Sequence, residues 1–465
     1  NVKVNIKDKN GNIVATKSVA INAKDSMTTI DVPVTFPQLW TAETPNLYVA
    51  EYFLIQNNKT LYKLSEKFGF RTIEVRQGDG IYVNGNKVKM KGVNRHVWWP
   101  ETGRAVNRDI DLLDVTLMKE MNMNAVRCAH YPPDKSFLEI CDSLGLYVLD
   151  ERAGWQKAYG TAVGKKLVKE MVMRDVNHPS IILWSNGNEG GHNKELVEEY
   201  KKYDLSNRTV IHAHHRPGNA INGIDGNHYE DFYSTQKILE GPNIYMPTEF
   251  LHAQDDGGAA AGLADLWELH WKAKLGAGGF IWNLADEGIV RTDFNNAIDI
   301  NGVNAPDGIL GPHREKEGSF YAIREIFSPV RIDMKKLPSN FDGTIKVENR
   351  YHHTNLKDCT FEYQLVQFNK PYANTAGIQS ALPFSISSPT VNPTDSGYIS
   401  LSLPENWKDY DALLLTAIDP HQKEIFTWSW SVKDSKAITS SILPVSTRSA
   451  VELQEDSLNY SLKAN

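Results

Sequence analysis

Ile181-Ile182-Leu183-Trp184-Ser185-Asn186-Gly187-Asn188-Glu189 begins as an unbroken apolar, β-branched run and ends on amides, a glycine and a carboxylate. Ile244-Tyr245-Met246-Pro247-Thr248-Glu249-Phe250 repeats that form further along. A strand without polar alternation is buried on both faces, as in a parallel sheet flanked by helices. A glutamate at its carboxyl end then stands on the rim where α/β barrels carry their chemistry.

Outward from these runs, strands and helices alternate from about residue 80. Residues 88–93, 125–128, 146–149, 181–184, 210–213, 224–227, 244–248 and 279–284 read as strands. Helices are expected over 109–122, where Ile110, Leu113, Leu117 and Met121 share a face, and over 134–144, 162–176, 194–203, 263–275 and 318–326. Eight such strands predict a (β/α)8 TIM barrel over 77–330. The competing doubly wound sheet would place Gly-x-Gly-x-x-Gly after its first strand, and none is there.

Both flanks are strand-rich. Residues 1–76 show strand patterns at 2–6, 13–19, 28–34, 48–56 and 61–75, separated by turns such as Asp8-Lys9-Asn10-Gly11, and predict an immunoglobulin-like β-sandwich short of its first strands. Residues 331–433 predict a second sandwich, with strands at 344–348, 360–367, 397–403, 412–417 and 426–432. Residues 434–465 read as a tail or the start of another domain. The fold class is thus multidomain β and α/β.

Composition narrows the function. Fifty basic and 57 acidic residues leave −7, which argues against a nucleic-acid surface. No apolar stretch is long enough for a membrane span. No leader is visible, and because 2–6 already alternates, the chain is expected to begin inside a domain. Cys128, Cys141 and Cys359 form no paired framework and are expected to be buried thiols.

Just after the strands stand Asn94, Arg95 and His96; Arg127 and His130; Asp150 and Glu151; Asn188 and Glu189; His212 and His214; His228 and Tyr229; Glu249 and His252; and Trp282, Asn283 and Asp286. Each alone has an ordinary explanation as a cap, ion pair or core residue. Together they are rich in His, Asn, Glu and Trp, the mixture that binds sugar hydroxyls and stacks on a pyranose. Two rim glutamates are the equipment of glycoside hydrolysis. His212, His214 and His215 have metal-like spacing, but no third ligand stands at a characteristic distance in sequence, so hydrogen bonding is the preferred reading and no metal is assigned.

The chain resembles glycoside hydrolase family 2, and within it the bacterial β-galactosidases. The resemblance is carried by 39–48, by Phe68-Gly69-Phe70-Arg71, by Lys91-Gly92-Val93-Asn94-Arg95-His96 and by 124–132. It continues through 145–151, Asn177-His178-Pro179-Ser180, 184–189 and Gly278-Gly279-Phe280-Ile281-Trp282. It implies Glu189 as general acid/base and Glu249 as nucleophile of a retaining, exo-acting enzyme on terminal β-D-galactosides. It further implies Asn188 on the sugar 2-hydroxyl, His96, His130, His252 and Trp282 around the first sugar, and Arg127 and Tyr229 supporting the nucleophile.

Departures qualify this. Where the family places a magnesium-binding Glu and His, Arg152-Ala153-Gly154-Trp155-Gln156 stands, so no cofactor is expected. The family's N-terminal jelly-roll domain is absent from this sequence. Other β-glycosides remain open: glucuronides, mannosides or substituted galactosides. The Asn-x-Lys of glucuronidases does not occur between Asn283 and Pro329, while Arg291, His313 and Arg314 are candidates for an anionic substituent. A non-catalytic carbohydrate-binding scaffold is the alternative of a different class. A carbohydrate substrate and a homo-oligomer are the partners implied, and a bacterial cytoplasmic or periplasmic location rests on resemblance alone. An ionised Glu249 nearby is expected to raise the pKa of Glu189.

Overall fold

The computed structural model describes residues 1–465 except 23, 25, 254–259, 371–376, 443–450 and 465. The chain forms two compact units, Asn1–Ser328 and Pro329–Asn465.

The first unit opens with an antiparallel sheet ordered Ile13–Val19, Val2–Lys7, Tyr48–Gln56, Lys59–Phe68. Its buried Val4, Ile6, Tyr48 and Ala50 are covered by Ile30, Val32 and Val34. Segment 28–34 is therefore not the strand expected. Its alternation records one apolar face laid on the sheet, and such a pattern does not by itself require ladder pairing. The expected strand 61–75 also divides, because Ile73–Arg76 joins Gly80–Val83 and Asn86–Val88 in a separate meander. Asn84 and Gly85, with φ of 51° and 80°, make its tight hairpin turn. That dipeptide is a strong hairpin signal that the sequence reading passed over. Residues 86–88 belong to the meander, so the first barrel strand is Met90–Arg95.

Six barrel strands form one parallel sheet, ordered Val210–Ala213, Ile181–Asn188, Tyr147–Glu151, Ala125–Cys128, Met90–Arg95, Gly278–Ile281. Ile224–Asp225 and Ile244–Tyr245 pair with each other, and bridges Tyr245–Gly276 and Phe250–Ile281 tie the latter to the last strand. These two strands are shorter than expected. Pro247 has no N–H to give, and the pairing continues irregularly as Met246 N to Asp225 O, Thr248 N to Gly226 O and Tyr229 N to Glu249 O.

Strand alternation separates two cores. Val93, Val126, Val148 and Trp184 pack among helix residues such as Met118, Phe137, Val168 and Phe320. Leu149, Leu183, Ile211, Met246 and Phe280 fill the barrel, joined by Ile81, Val83 and Val88 of the meander. Burial of each such side chain contributes roughly 1.5–3 kcal/mol. Helix Arg108–Glu120 is capped by Asn107, and Lys135–Leu144 by Asp134 with Gly145 (φ 79°) as its stop. The helix expected over 194–203 is a 3₁₀ turn, Lys194–Leu196, and a five-residue helix, Val197–Lys201. Phe232–Leu239 is an additional helix. The N-terminal domain is anchored beneath the fourth strand: Arg71 donates to Pro179 O (2.6 Å) and Ile181 O (3.2 Å).

The second unit is a sandwich. Val330–Arg331, Thr344–Asn349 and Ser396–Ser400 form one sheet; Ile378–Ile386, Thr360–Phe368, Ala412–Ile418 and Glu424–Ser431 form the other. Ile345, Val347 and Ile399 share a core with Phe361, Leu365, Leu415 and Trp428. Ile378–Ile386 is a strand beyond those expected, and its Pro383 is tolerated because the strand lies at the sheet edge. In the expected tail, the described residues form helix Ser435–Ile442 and hairpin Val451–Glu455 with Tyr460–Ala464, while 443–450 and 465 lie outside them. The three cysteines are buried free thiols. Among the described residues no helix is long and apolar enough to cross a membrane.

Candidate active site

Arg127, fully buried on the second strand, organises the barrel mouth. Its Nε and Nη2 donate to Glu151 (2.8 and 2.9 Å), Nη1 to Glu249 Oε1 and Asn94 Oδ1 (both 2.8 Å), and Nη2 to Asn188 Oδ1 (2.7 Å). One guanidinium thus joins the ends of five strands, and the planar donor fork makes this possible. Burial alone would raise the Glu151 carboxyl, but Arg127 holds it down at about 2. Asn94 Nδ2 donates to Thr248 O (2.9 Å) and Phe280 O (3.1 Å), fixing the seventh and eighth strand ends.

Glu249 lies inside this network. Arg127 holds Oε1, and the Tyr229 hydroxyl donates to Oε2 at 2.7 Å. Burial opposes its charge, but His228, Arg127 and His130 together keep the carboxyl below its ordinary range. Burial and the Glu249 charge push Tyr229 upward, so its phenol stays a donor.

Glu189 sits at a left-handed turn (φ 39°) followed by Gly190 (φ 92°), which turns the chain out of the fourth strand. His215 Nε2 lies 2.7 Å and His228 Nδ1 3.3 Å from its Oε1, and Trp155 Nε1 donates to Oε2 at 3.0 Å. Hydrogen bonding from His228, then from Trp155, lowers the Glu189 carboxyl well below the carboxylate range. The expected upward shift is overturned: N–H groups from three loops outweigh repulsion from Glu249. His228 Nδ1 is also 3.5 Å from Glu249 Oε2. Those two oxygens are therefore no farther apart than the two His228 contacts end to end, short of most of the ~6.5–9.5 Å range of inverting pairs.

The other expected residues gather here. Trp282 stacks on His130 at 5.1 Å and 10°, with His96 edge-on at 5.2 Å and His252 at 6.2 Å. His130 Nε2 is 4.0 Å from Glu249. Asn188 gives its oxygen to Arg127, and among the described residues nothing takes a hydrogen bond from its Nδ2.

Several rim residues do not face the site. Arg95 turns outward to Asp111 and Asp114 (both 2.8 Å), and Asp150 is buried beside Asp175. His212 gives Nδ1 to Gly218 O and stacks on His192, so the three neighbouring histidines do not converge. Arg291 is matched by Asp293 and Asp299, His313 by Glu101, and Arg314 by Asp114, which removes all three as a ready anion site. Trp155, His215 and Glu287 were not among the expected site residues. Glu287 Oε1 lies 3.6 Å from His96 Nε2, and burial and Asp307 push its carboxyl up to about 7.

The implied magnesium does not fit the residues present. Arg152 places its guanidinium on Asn186, Ala153 O and Gly191 O, and an indole N–H occupies Glu189. A hard cation needs oxygen donors there.

A barrel with paired rim glutamates in a His- and Trp-lined mouth defines the class as α/β-barrel proteins of glycosidase type. The profile described as "Glycosyl hydrolases family 2, TIM barrel domain" matches residues 73–303, and "Glycosyl hydrolases family 2" matches residues 1–71. The chain belongs to glycoside hydrolase family 2. It is 26% identical to a beta-galactosidase of Lactobacillus delbrueckii subsp. bulgaricus, over 100% of this chain and 47% of that protein. To one of Photobacterium profundum it is 34% identical, over 55% of this chain and 27% of that protein. The chain thus spans less than half the length of these relatives. In fold it is similar to Bifidobacterium dentium beta-glucuronidase complexed with coumarin-3-O-glucuronide (TM-score 0.61, 20% identity, 71% of this chain and 61% of that one). It is likewise similar to a family 2 member from Bacteroides cellulosilyticus (TM-score 0.59, 20% identity, 92% and 58%).

Proposed function

We propose that this chain carries the catalytic centre of a retaining glycosidase acting on terminal β-D-galactosides. The observation that supports the reading is His228 Nδ1 within 3.5 Å of both glutamates, which puts them at short range across the barrel mouth. Glu249, ionised and aimed by Arg127 and Tyr229, attacks the anomeric carbon. Glu189 gives the departing oxygen the proton it recovers from water in each cycle and then, as the carboxylate its surroundings favour, activates the next water to release the sugar. Asn188 Nδ2 meets the 2-hydroxyl, and Trp282 with His130 supplies the stacking face.

The galactoside is supported by the names of the sequence relatives. A glucuronide, suggested by the fold neighbours, is disfavoured by the acids at the Trp282 end of the pocket. Asp307 accepts from Trp282 Nε1 and Glu287 stands beside His96, so the acids there offer a uronate no cation, and Asp307 when ionised repels it. A panel of p-nitrophenyl glycosides tests the proposal. Hydrolysis of the β-galactoside with retention of anomeric configuration is expected; sugar binding without turnover of any glycoside would replace the enzyme with a binding scaffold.

A further inference from the structure

Of the two ring nitrogens of His228, the one between the glutamates is not the one whose proton is fixed by Thr248. The Thr248 hydroxyl donates to Gly226 O (3.1 Å), so it accepts from His228 Nε2 (2.7 Å). With one ring proton fixed on Nε2, Nδ1 is the nitrogen through which His228 either donates a second proton to Glu189 or ligates a cation in that proton's place. His215 Nε2 completes the surroundings from the opposite loop, and the ligand atoms of Glu189, His215 and His228 all lie within 4.8 Å of one another. His228 is fully buried, whereas Glu189 and His215 are 23% and 49% exposed, so an ion can enter from solvent. Thr248 on the far nitrogen is the kind of partner that fixes ligating histidines.

We propose that Glu189, His215 and His228 bind a divalent transition cation of the zinc class, and that its binding inhibits the enzyme by occupying the acid/base. Two imidazoles and a carboxylate with an open fourth position suit zinc, while magnesium prefers oxygen. The Glu and His with which the family resemblance would hold magnesium follow Glu151 and are replaced here, whereas His215 and His228 come from other loops. Binding rests on the three side chains alone; inhibition rests also on the proposed role of Glu189.

The two parts separate experimentally. Zinc chloride is titrated into the full chain by calorimetry, with cobalt(II) absorption as a second readout of coordination, for the wild type, His215→Ala and His215→Gln. One equivalent is expected in the wild type, with affinity falling roughly tenfold or more in both variants, and magnesium chloride failing to compete. Zinc should raise the KM for the p-nitrophenyl β-galactoside without lowering kcat. Absent zinc binding, or binding that the His215 variants leave unchanged, overturns the site. Binding as expected with kcat reduced and KM unchanged overturns the inhibition. An enzyme inactive on every glycoside yet binding zinc through His215 refutes the proposed function and leaves the metal site standing.

Discussion

The two glutamates sit on similar strands in opposite settings. Glu249 is enclosed, with Arg127 and Tyr229 on its oxygens and a side chain only 5% exposed. Glu189 is half open, held by Trp155 and His215, which are themselves exposed. In the proposed roles this contrast has a reason: a nucleophile needs a fixed charge and fixed direction, while an acid/base must give up its partners twice in each turnover. Buried charge pairs supply the first, and solvent-reachable N–H donors allow the second.

The comparison breaks most directly at the glutamates. Glu249→Gln should abolish hydrolysis of every substrate by several orders of magnitude. Glu189→Gln should lose about 10²–10⁴-fold on alkyl galactosides and much less on p-nitrophenyl galactoside, whose leaving group needs little protonation; equal losses on both substrates would erase the distinction. Arg127→Met comes next. It leaves Glu151 and Glu249 buried without their cation, so calorimetric unfolding should show a loss of about 3–5 kcal/mol. Tyr229→Phe removes one donor to a carboxylate, and kcat should fall about tenfold to a hundredfold. The Glu249 pKa then rises, so the acidic limb of the kcat/KM profile should move to higher pH. Trp155→Phe is the mildest. Losing an N–H that favours the charged form raises the Glu189 pKa, and the limb of the kcat/KM profile that reports Glu189 should shift to higher pH; an unmoved profile would mean that Trp155 does not bear on the acid.

Part of this arrangement was legible in sequence. The apolar runs at 181–184 and 244–246 announce buried strands, and a residue just past such a run falls on the rim whatever the neighbouring strands do. Parity was less legible. Asp150 and Glu151 were both expected at the site, yet alternation sends Glu151 to Arg127 and Asp150 to the helix layer. The bulge where Val148 and Leu149 pair with Ile181 and Leu183 shows how such parity can change inside a strand. His228 was on the expected rim, but its bridging of the glutamates was invisible, because that depends on a Thr248–Gly226 hydrogen bond across strands.

The sequence by itself determined the class of fold and the two carboxylates, since burial periodicity and the residues that end each strand are local properties of the chain. Tertiary structure alone decided the protonation bias of those carboxylates. Their partners come from loops far apart in sequence, and electrostatic energy depends on separations in space, where a few ångströms reverse the direction of a pKa shift.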